Sequence, residues 1–251
     1  MNITASSLLV DAASYLAIMV AALAIRTRRG RAPEPLPVGA RAPAGWAMRR
    51  DPLLRSITIA VAAVVTGVSA VNVADVFFVR GVLHGSATVY GLLSAVWTGA
   101  MMLGAWLLAR RPLRDGAVAV ALLVSLAAAC GAVALAAAVP AVAWMVPLWL
   151  FGGIFNGSVN VASGVLVGRR APAEARGRAF AVFGGVANGA NAVGYLLAGL
   201  ALAVLSPRAV IALAGAVGLA VALAFAVPMI RAATRDQPVP ADAPQVALVH
   251  E

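Results

Sequence analysis

Residues 117–139 read AVAVALLVSLAAACGAVALAAAV, an unbroken apolar run without a charged side chain. The hydrocarbon core of a bilayer is about 30 Å thick, and an α-helix rises about 1.5 Å per residue. About 20 apolar residues are therefore enough to cross the bilayer, and this stretch exceeds that length. We predict that residues 117–139 form a transmembrane helix.

Stretches of the same kind recur along the whole chain and decide its fold class. Six more are found, at residues 8–25, 57–79, 89–109, 142–167, 179–205 and 209–230. Short segments that hold nearly all of the arginines separate these stretches from one another. The sequence therefore predicts an all-α membrane protein with seven transmembrane helices.

The overall composition excludes a soluble fold. The chain is 63% hydrophobic and 11% charged, with a mean hydropathy of +0.95, whereas about a quarter of the residues in soluble domains are charged. The net charge of +10 is spread over several short segments, which favours the lipid bilayer as a partner and argues against nucleic acid. All basic residues are Arg and none is Lys, which favours a GC-rich bacterial source.

The arginines also predict how the chain is oriented. If the first span runs from outside to inside, every basic residue except Arg80 and Arg208 falls in a cytoplasmic segment. Excess Lys and Arg in short loops is held on the cytoplasmic side of a membrane. We expect a multi-pass protein of the cell membrane with an external N-terminus and a cytoplasmic C-terminus.

The spacing of the spans divides the chain into four regions. We predict a transmembrane helix at 1–29, a Pro-, Arg- and Gly-rich cytoplasmic linker at 30–54, a six-helix transmembrane bundle at 55–231 and a disordered cytoplasmic tail at 232–251. Only the linker separates two spans by a long distance, so the six later helices form one unit.

Six spans make two triplets of opposite orientation, which is the geometry of inverted repeats. The middle span of the first triplet contains GAMMLG at 99–104, and that of the second contains GANAVG at 189–194. We predict inverted 3+3 repeats, although chance would also explain the match in so Gly-rich a chain. GxxxG patterns at 153–157, 164–168 and 185–189 predict close helix packing inside the bundle, with a dimer face as the alternative.

Asp75 is the one carboxylate well inside a predicted span. A charged residue at the centre of a membrane helix costs roughly 2.5–3.5 kcal/mol on insertion scales, so it usually faces a cavity or a partner. Two interpretations are open. Asp75 is either a proton-coupling group, or a helix-end carboxylate that lies in water or pairs with Arg80.

Neutral polar side chains cluster in three of the spans. Thr66, Ser69, Asn72 and Asp75 recur at i, i+3 in one span, and asparagines stand in pairs in two others. Such residues either line an aqueous path or form hydrogen bonds between helices. Together they predict a cavity for a small-molecule substrate, lined by Ser69, Asn72, Asn156, Asn160, Asn188 and Asn191.

The residue types needed for catalysis are missing from the spans. Cys130 stands alone in an apolar run, which indicates packing, and the two histidines, His84 and His250, fall outside the spans. No lysine is present to attach retinal, and no phosphate-binding loop is found. We expect no enzyme activity, no metal and no cofactor. A seven-helix membrane sensor, or a non-transporting structural membrane protein, is the alternative to a transporter.

Four stretches resemble the major facilitator superfamily. Residues 11–26, DAASYLAIMVAALAIR, are similar to its sixth helix, and 48–55, MRRDPLLR, to the start of its seventh. APAEARGRAF at 171–180, continuing to GYLLAG at 194–199, resembles its last cytoplasmic loop and eleventh helix. ARRPLRD at 109–115 is basic like the family's gating loops, although its acidic residue stands in a different place. The resemblance is to the C-terminal half, helices six to twelve, of a macrolide- or siderophore-type efflux permease.

This resemblance implies proton-coupled efflux of small amphipathic compounds by an antiporter. The family's cavity lies between two six-helix halves, so this chain would supply one wall as a partial chain. A missing N-terminal half, or a second copy in a homodimer, would supply the other wall. The resemblance also implies a gating role at the cytoplasmic face for Arg110, Arg111, Arg114, Arg176 and Arg178.

Overall fold

The structure, a computed structural model, describes residues 47–235 together with 12, 13, 15–21 and 24, and only the backbone of 232–235. The chain divides into two units, Met1–Gly45 and Trp46–Glu251, which are described separately. In the first unit, the described residues are helical and fall inside the predicted first span. The rest of that span, residues 30–46 of the predicted linker and residues 236–251 of the predicted tail lie outside the described residues.

The second unit is built from helices. They are α1 Pro52–Phe77, α2 Ala87–Ala109, α3 Asp115–Ala136, α4 Val142–Arg170, α5 Arg176–Leu202 and α6 Pro207–Arg235. A π-helical turn, Phe78–Val82, extends α1, and short 3-10 turns precede α1 and α5. Within the described residues, six helices are long and apolar enough to cross a membrane, which confirms the six predicted spans of the bundle.

The helix ends differ from the predicted ends by a few residues, because capping groups and not apolar side chains fix them. Asp51 Oδ1 accepts the backbone N–H groups of Leu53 and Leu54 at 2.9 and 3.0 Å, and Pro52 occupies the first turn. As a result α1 begins at Pro52, before the predicted domain boundary at 55. At the other end α6 continues to Arg235, past the predicted boundary at 231.

The six helices pack in an interleaved order. α2 packs on α4, α3 packs between α4 and α6, and α1 packs between α6 and α5. Exchanging the triplets α1–α3 and α4–α6 converts the α2–α4 contact into the α5–α1 contact, and the α3–α4 contact into the α6–α1 contact. The α3–α6 contact converts into itself. The packing therefore has the symmetry of the predicted inverted 3+3 repeats.

Glycines at equivalent places make this packing close. A Cβ atom on Gly104 of α2 would overlap the carbonyl oxygen of Ile154 on α4, and one on Gly194 of α5 would overlap that of Thr66 on α1. These are the last glycines of the two matching sequence stretches. The first ones, Gly99 and Gly189, both face open space. The sequence match thus corresponds to a match in three dimensions.

Only one of the three GxxxG patterns supports close packing inside the bundle. A Cβ atom on Gly153 or Gly157 would meet the backbone of α2, as predicted. Gly164, Gly185 and Gly189 have no neighbouring atom within 4 Å, and Gly168 has only ordinary contacts, so that prediction is wrong for the other two patterns. The spacing of small residues does not decide which side of a helix faces its neighbour.

Two large apolar clusters form the core, together with a smaller one of Met48, Leu54, Val167, Ala171 and Ala179. One contains Ile57, Leu122 and Leu166 from α1, α3 and α4, and the other contains Phe78, Met145 and Ile211 nearer the opposite ends of the helices. Cys130 is buried in the first cluster beside Gly218 of α6, which agrees with its predicted packing role. In contrast to the helices of the core, α2 and α5 each pack mainly on one neighbouring helix and leave much of their surface exposed.

Candidate functional site

A cavity of about 260 Å³ lies among α1, α2, α3, α4 and α5. Its apolar wall is mostly valine, with Leu126, two alanines, Trp97 of α2 and Phe183 of α5. Its polar side chains are neutral, and they are Ser69, Asn72, Asn156, Asn160, Ser163 and Asn191. None of the described residues that line it is charged. An apolar wall with a few converging hydrogen-bonding groups is typical of small-molecule sites.

On the α1 side, the cavity wall is also a helix contact. The hydroxyl of Ser69 donates a hydrogen bond to Oδ1 of Asn191 on α5. Asn72, one turn further along α1, is exposed in the opening of the cavity and makes no hydrogen bond to another described residue. Ser69 and Asn191 therefore both join two helices and line the cavity.

On the α4 side, three polar residues follow one helix face. Asn156 Nδ2 donates to Met101 Sδ of α2 at 3.4 Å, and Asn160 Nδ2 donates to the backbone oxygen of Asn156 at 3.1 Å. Ser163, 3% exposed, lines the cavity, and its buried Oγ has no hydrogen-bond partner. The sequence analysis missed Ser163. The signal for it was the i, i+3 spacing from Asn160, which repeats the spacing of Asp75 from Asn72.

The structure brings five of the six predicted cavity residues together and leaves Asn188 apart. Asn188 is on the exposed surface of α5 and does not line the cavity. It stands three residues before Asn191, so a helical turn of about 100° per residue places it about 60° further around α5. That rotation carries it away from α1.

Asp75 is buried in α1 one turn beyond Asn72. The residue is only 7% exposed, and its Oδ1 makes no hydrogen bond. Arg80 lies in the π-helical turn with its side chain exposed, and it forms no ion pair with Asp75. The interpretation of Asp75 as a carboxylate in water or paired with Arg80 is therefore wrong. A polar atom buried without a partner is costly and calls for a functional or structural explanation.

One face of the bundle, where α1, α3 and α5 begin, carries most of the described arginines, and we call it the arginine-rich face. There the last two residues of α4 bind acidic residues at the starts of two other helices, the cap of α1 and the first residue of α3. Arg170 Nε donates to Asp51 Oδ2 at 2.8 Å, and Arg169 Nη1 donates to Asp115 Oδ1 at 3.1 Å. The Arg170 pair is largely buried, with side chains 15% and 13% exposed, whereas the Arg169 pair is exposed to 48% and 41%.

The predicted gating arginines lie around these ion pairs but do not form them. Arg110, Arg111, Arg114, Arg176 and Arg178 are all exposed. The guanidinium of Arg110 lies over the ring of Trp106, 3.7 Å from its centroid. Sequence reasoning missed Arg169 and Arg170, because partners such as Asp51 and Arg170 are far apart in the chain and meet only after folding.

On the opposite face, Arg208 joins three helices. Its guanidinium donates to the carbonyl oxygens of Ala137 and Val139 at 2.6 and 3.2 Å, and it lies 5.2 Å from the ring centroid of Phe78. Arg208 therefore satisfies carbonyls left free at the end of α3. Among the described residues, no group of three or more His, Cys, Asp or Glu side chains could hold a metal ion.

Comparison with known proteins gives one match. The sequence profile of the Major Facilitator Superfamily matches residues 57–249. The match begins in the second turn of α1, covers the rest of the six-helix bundle, and contains every described residue that lines the cavity. No curated protein sequence and no solved structure matches the chain.

Proposed function

Because the chain belongs to the Major Facilitator Superfamily and is thus a membrane transporter of that type, we propose that its substrates are small amphipathic compounds. The cavity among the five helices carries this proposal. Its apolar wall would bind the hydrophobic part of a substrate, and its asparagine and serine side chains would bind hydroxyl, carbonyl or amide groups. The macrolide- or siderophore-type resemblance of the sequence points to the same class of compound.

We further propose that transport is efflux driven by proton antiport, with Asp75 as the proton-coupling group. Asp75 is the one carboxylate buried within a described span, and it lies one turn from Asn72 of the cavity. An intramembrane carboxylate of this kind suggests a functional site. When the cavity opens, access of water to Asp75 would change, and proton uptake or release would follow.

Gating is proposed for the arginine-rich face. Arg169 and Arg170 fasten the start of α3 and of α1 to the end of α4, so these pairs would have to loosen when the helices move apart at this face. The neighbouring Arg110, Arg111, Arg114, Arg176 and Arg178 would tune this step through their charge. In a transporter, such alternate opening is largely a rocking of packed helices around a fixed site.

An opposing surface is proposed to complete the cavity. α2 and α5, which border it, leave most of their surface exposed, including Asn188. Polar groups exposed to lipid cost free energy. A second six-helix half or a second copy of the chain would cover them, and cross-linking through a cysteine at position 188 would report either one.

The substrate site is tested by binding to the purified chain in nanodiscs, with labelled erythromycin and a ferric hydroxamate siderophore as probes. We expect saturable binding of at least one probe, weakened in Asn160→Leu because leucine keeps the size but removes the amide. Asn188→Leu is the matched control, since Asn188 lies outside the cavity. Equal loss in both variants, or no saturable binding of either probe, would contradict the cavity assignment.

The orientation in the cell membrane is proposed from the arginines, with the arginine-rich face in the cytoplasm and the N-terminus outside. Cysteines replacing His84 and Ser206, in a chain with Cys130→Ala, should react with an impermeant thiol reagent added to intact cells. A cysteine replacing Ala173 should react only after the cells are opened. Labelling of Ala173→Cys in intact cells would show that the chain has the opposite orientation.

A further inference from the structure

The connection between α2 and α3 carries a positive charge that no carboxylate in the described part of the chain neutralises. Arg110, Arg111 and Arg114 stand within five residues and are exposed. None of the three forms an ion pair with a carboxylate among the described residues. The one acid beside them, Asp115, already accepts a hydrogen bond from Arg169. The segment is therefore free to bind an external anion.

Trp106 holds the first of these arginines against the helix. The Arg110 guanidinium lies 3.7 Å from the centroid of the indole ring, a cation–π arrangement. The ring itself is half exposed in the last turn of α2. A stacked guanidinium keeps its N–H donors at the ring's edge free, so Arg110 is oriented for a further ligand.

Trp106 faces away from the cavity and from α4. It follows Trp97, which lines the cavity, by nine residues, and at about 100° per residue the two rings point in opposite directions. Met102, one turn before Trp106, is 71% exposed on the same side. An exposed apolar side chain, then a tryptophan, then arginines is the order met on crossing from hydrocarbon to headgroups.

We propose that Trp106, Arg110 and Arg111 form a binding site for the phosphate of an anionic phospholipid in the adjacent leaflet. Arginine forks match the geometry of phosphate oxygens, and the indole suits the interface between hydrocarbon and headgroups. The uncompensated charge favours a lipid with net negative charge, since a zwitterionic headgroup brings its own cation to the site. Arg114 adds to the field but not to the contact. This site is independent of the substrate cavity.

The test uses nanodiscs of phosphatidylcholine that contain a small fraction of brominated phosphatidylglycerol or of brominated phosphatidylcholine. Bromine quenches tryptophan on contact, and the difference between the unmodified chain and Trp106→Phe isolates the signal of Trp106. We expect the anionic lipid to quench Trp106 several-fold more efficiently than the zwitterionic one. Arg110→Gln and Arg111→Gln should each reduce that preference roughly fivefold.

Arg176→Gln with Arg178→Gln is the matched control, because these arginines are exposed on the same face but have no tryptophan beside them. The control variant should be quenched preferentially by the anionic lipid, like the unmodified chain. Excess inorganic phosphate should not remove this preference from the unmodified chain. Equal quenching by the two lipids, or an equal loss in the control, overturns the site. Displacement by inorganic phosphate overturns the lipid as its ligand. Arg114→Gln should reduce the preference for the anionic lipid less than the other two variants. It tests the contribution of positive charge if Arg110→Gln or Arg111→Gln does not fold.

Discussion

Two helix contacts, α1 with α5 and α4 with α2, occupy equivalent places in the two triplets and differ in one chemical respect. Each crosses where a glycine meets a backbone carbonyl, Gly194 at Thr66 and Gly104 at Ile154. Six residues beyond each carbonyl stands an asparagine, Asn72 on α1 and Asn160 on α4. The crossing and the cavity amide are thus shared by both halves of the repeat.

Nine residues beyond the same carbonyls, the two helices carry different residues. α1 has Asp75 and α4 has Ser163, and both present a buried oxygen without a hydrogen-bond partner. Because α1 and α4 run in opposite directions, the carboxylate lies toward one face of the membrane and the hydroxyl toward the other. The comparison teaches that packing and amide positions are repeated, whereas the ionisable group occurs once.

The largest effect is expected from Asp75→Asn. The amide keeps the size of the carboxyl group but cannot exchange a proton, so transport driven by a pH gradient should be abolished while membrane insertion is retained. Ser163→Ala, at the equivalent place on α4, should leave coupled transport in place. The measurement is gradient-driven accumulation of a labelled probe in membrane vesicles where a second half or a second copy of the chain completes the cavity. Undiminished transport by Asp75→Asn would give Asp75 a structural role.

The shared crossing is tested next, with alanine in place of glycine. Gly104→Ala and Gly194→Ala force a Cβ atom into the facing backbone, and each should lower the free energy of unfolding by about 1–3 kcal/mol. Gly99→Ala and Gly189→Ala, on the same helices but facing open space, should be neutral or stabilising by up to about 1 kcal/mol. Denaturation in detergent measures all four. Equal behaviour of the two pairs would refute the repeat of the crossing.

The two ion pairs of α4 are expected to be unequal. Asp51→Ala removes a helix cap as well as the buried partner of Arg170, and it should cost about 1–3 kcal/mol. Asp115→Ala removes only the exposed partner of Arg169 and should cost less than about 1 kcal/mol. Thermal unfolding of the purified variants gives the order. A larger effect at Asp115 would show that burial does not rank these pairs.

The smallest effect concerns the hydrogen bond between α1 and α5. Ser69→Ala removes the donor to Asn191, and such bonds between membrane helices contribute about 0.6–1.7 kcal/mol. Ser94→Ala is the control, because Ser94 donates only to the carbonyl of Tyr90 in its own helix. Unfolding of the two variants under the same conditions decides. A loss in Ser94→Ala as large as in Ser69→Ala would assign both to local helix propensity.

Sequence alone was sufficient for the spans of the bundle, because the length of an apolar run decides whether a helix can cross a membrane. The i, i+3 and i, i+4 spacings also indicated that Ser69 and Asn72 share one side of α1, and Asn156 and Asn160 one side of α4, whereas their role in substrate binding stays a prediction. Sequence reasoning failed at Ser163, because the i, i+3 spacing of this serine from Asn160 was not followed to the next turn of the helix. It failed for Arg169 and Arg170 because their partners are distant in the chain, and for two GxxxG patterns because spacing does not tell which way a helix faces.

The interleaved packing has a consequence for synthesis. α1 finds its main partners in α5 and α6, and α2 finds its partner in α4, so the first three helices have few contacts among themselves. The chain grows by about 5–20 residues per second, and Leu202 at the end of α5 follows Phe77 by 125 positions. For roughly 6 to 25 s, then, α1 is already synthesised but its partner α5 is not yet complete. During that time the insertion machinery, and not the finished bundle, has to shelter Asn72 and Asp75 from lipid.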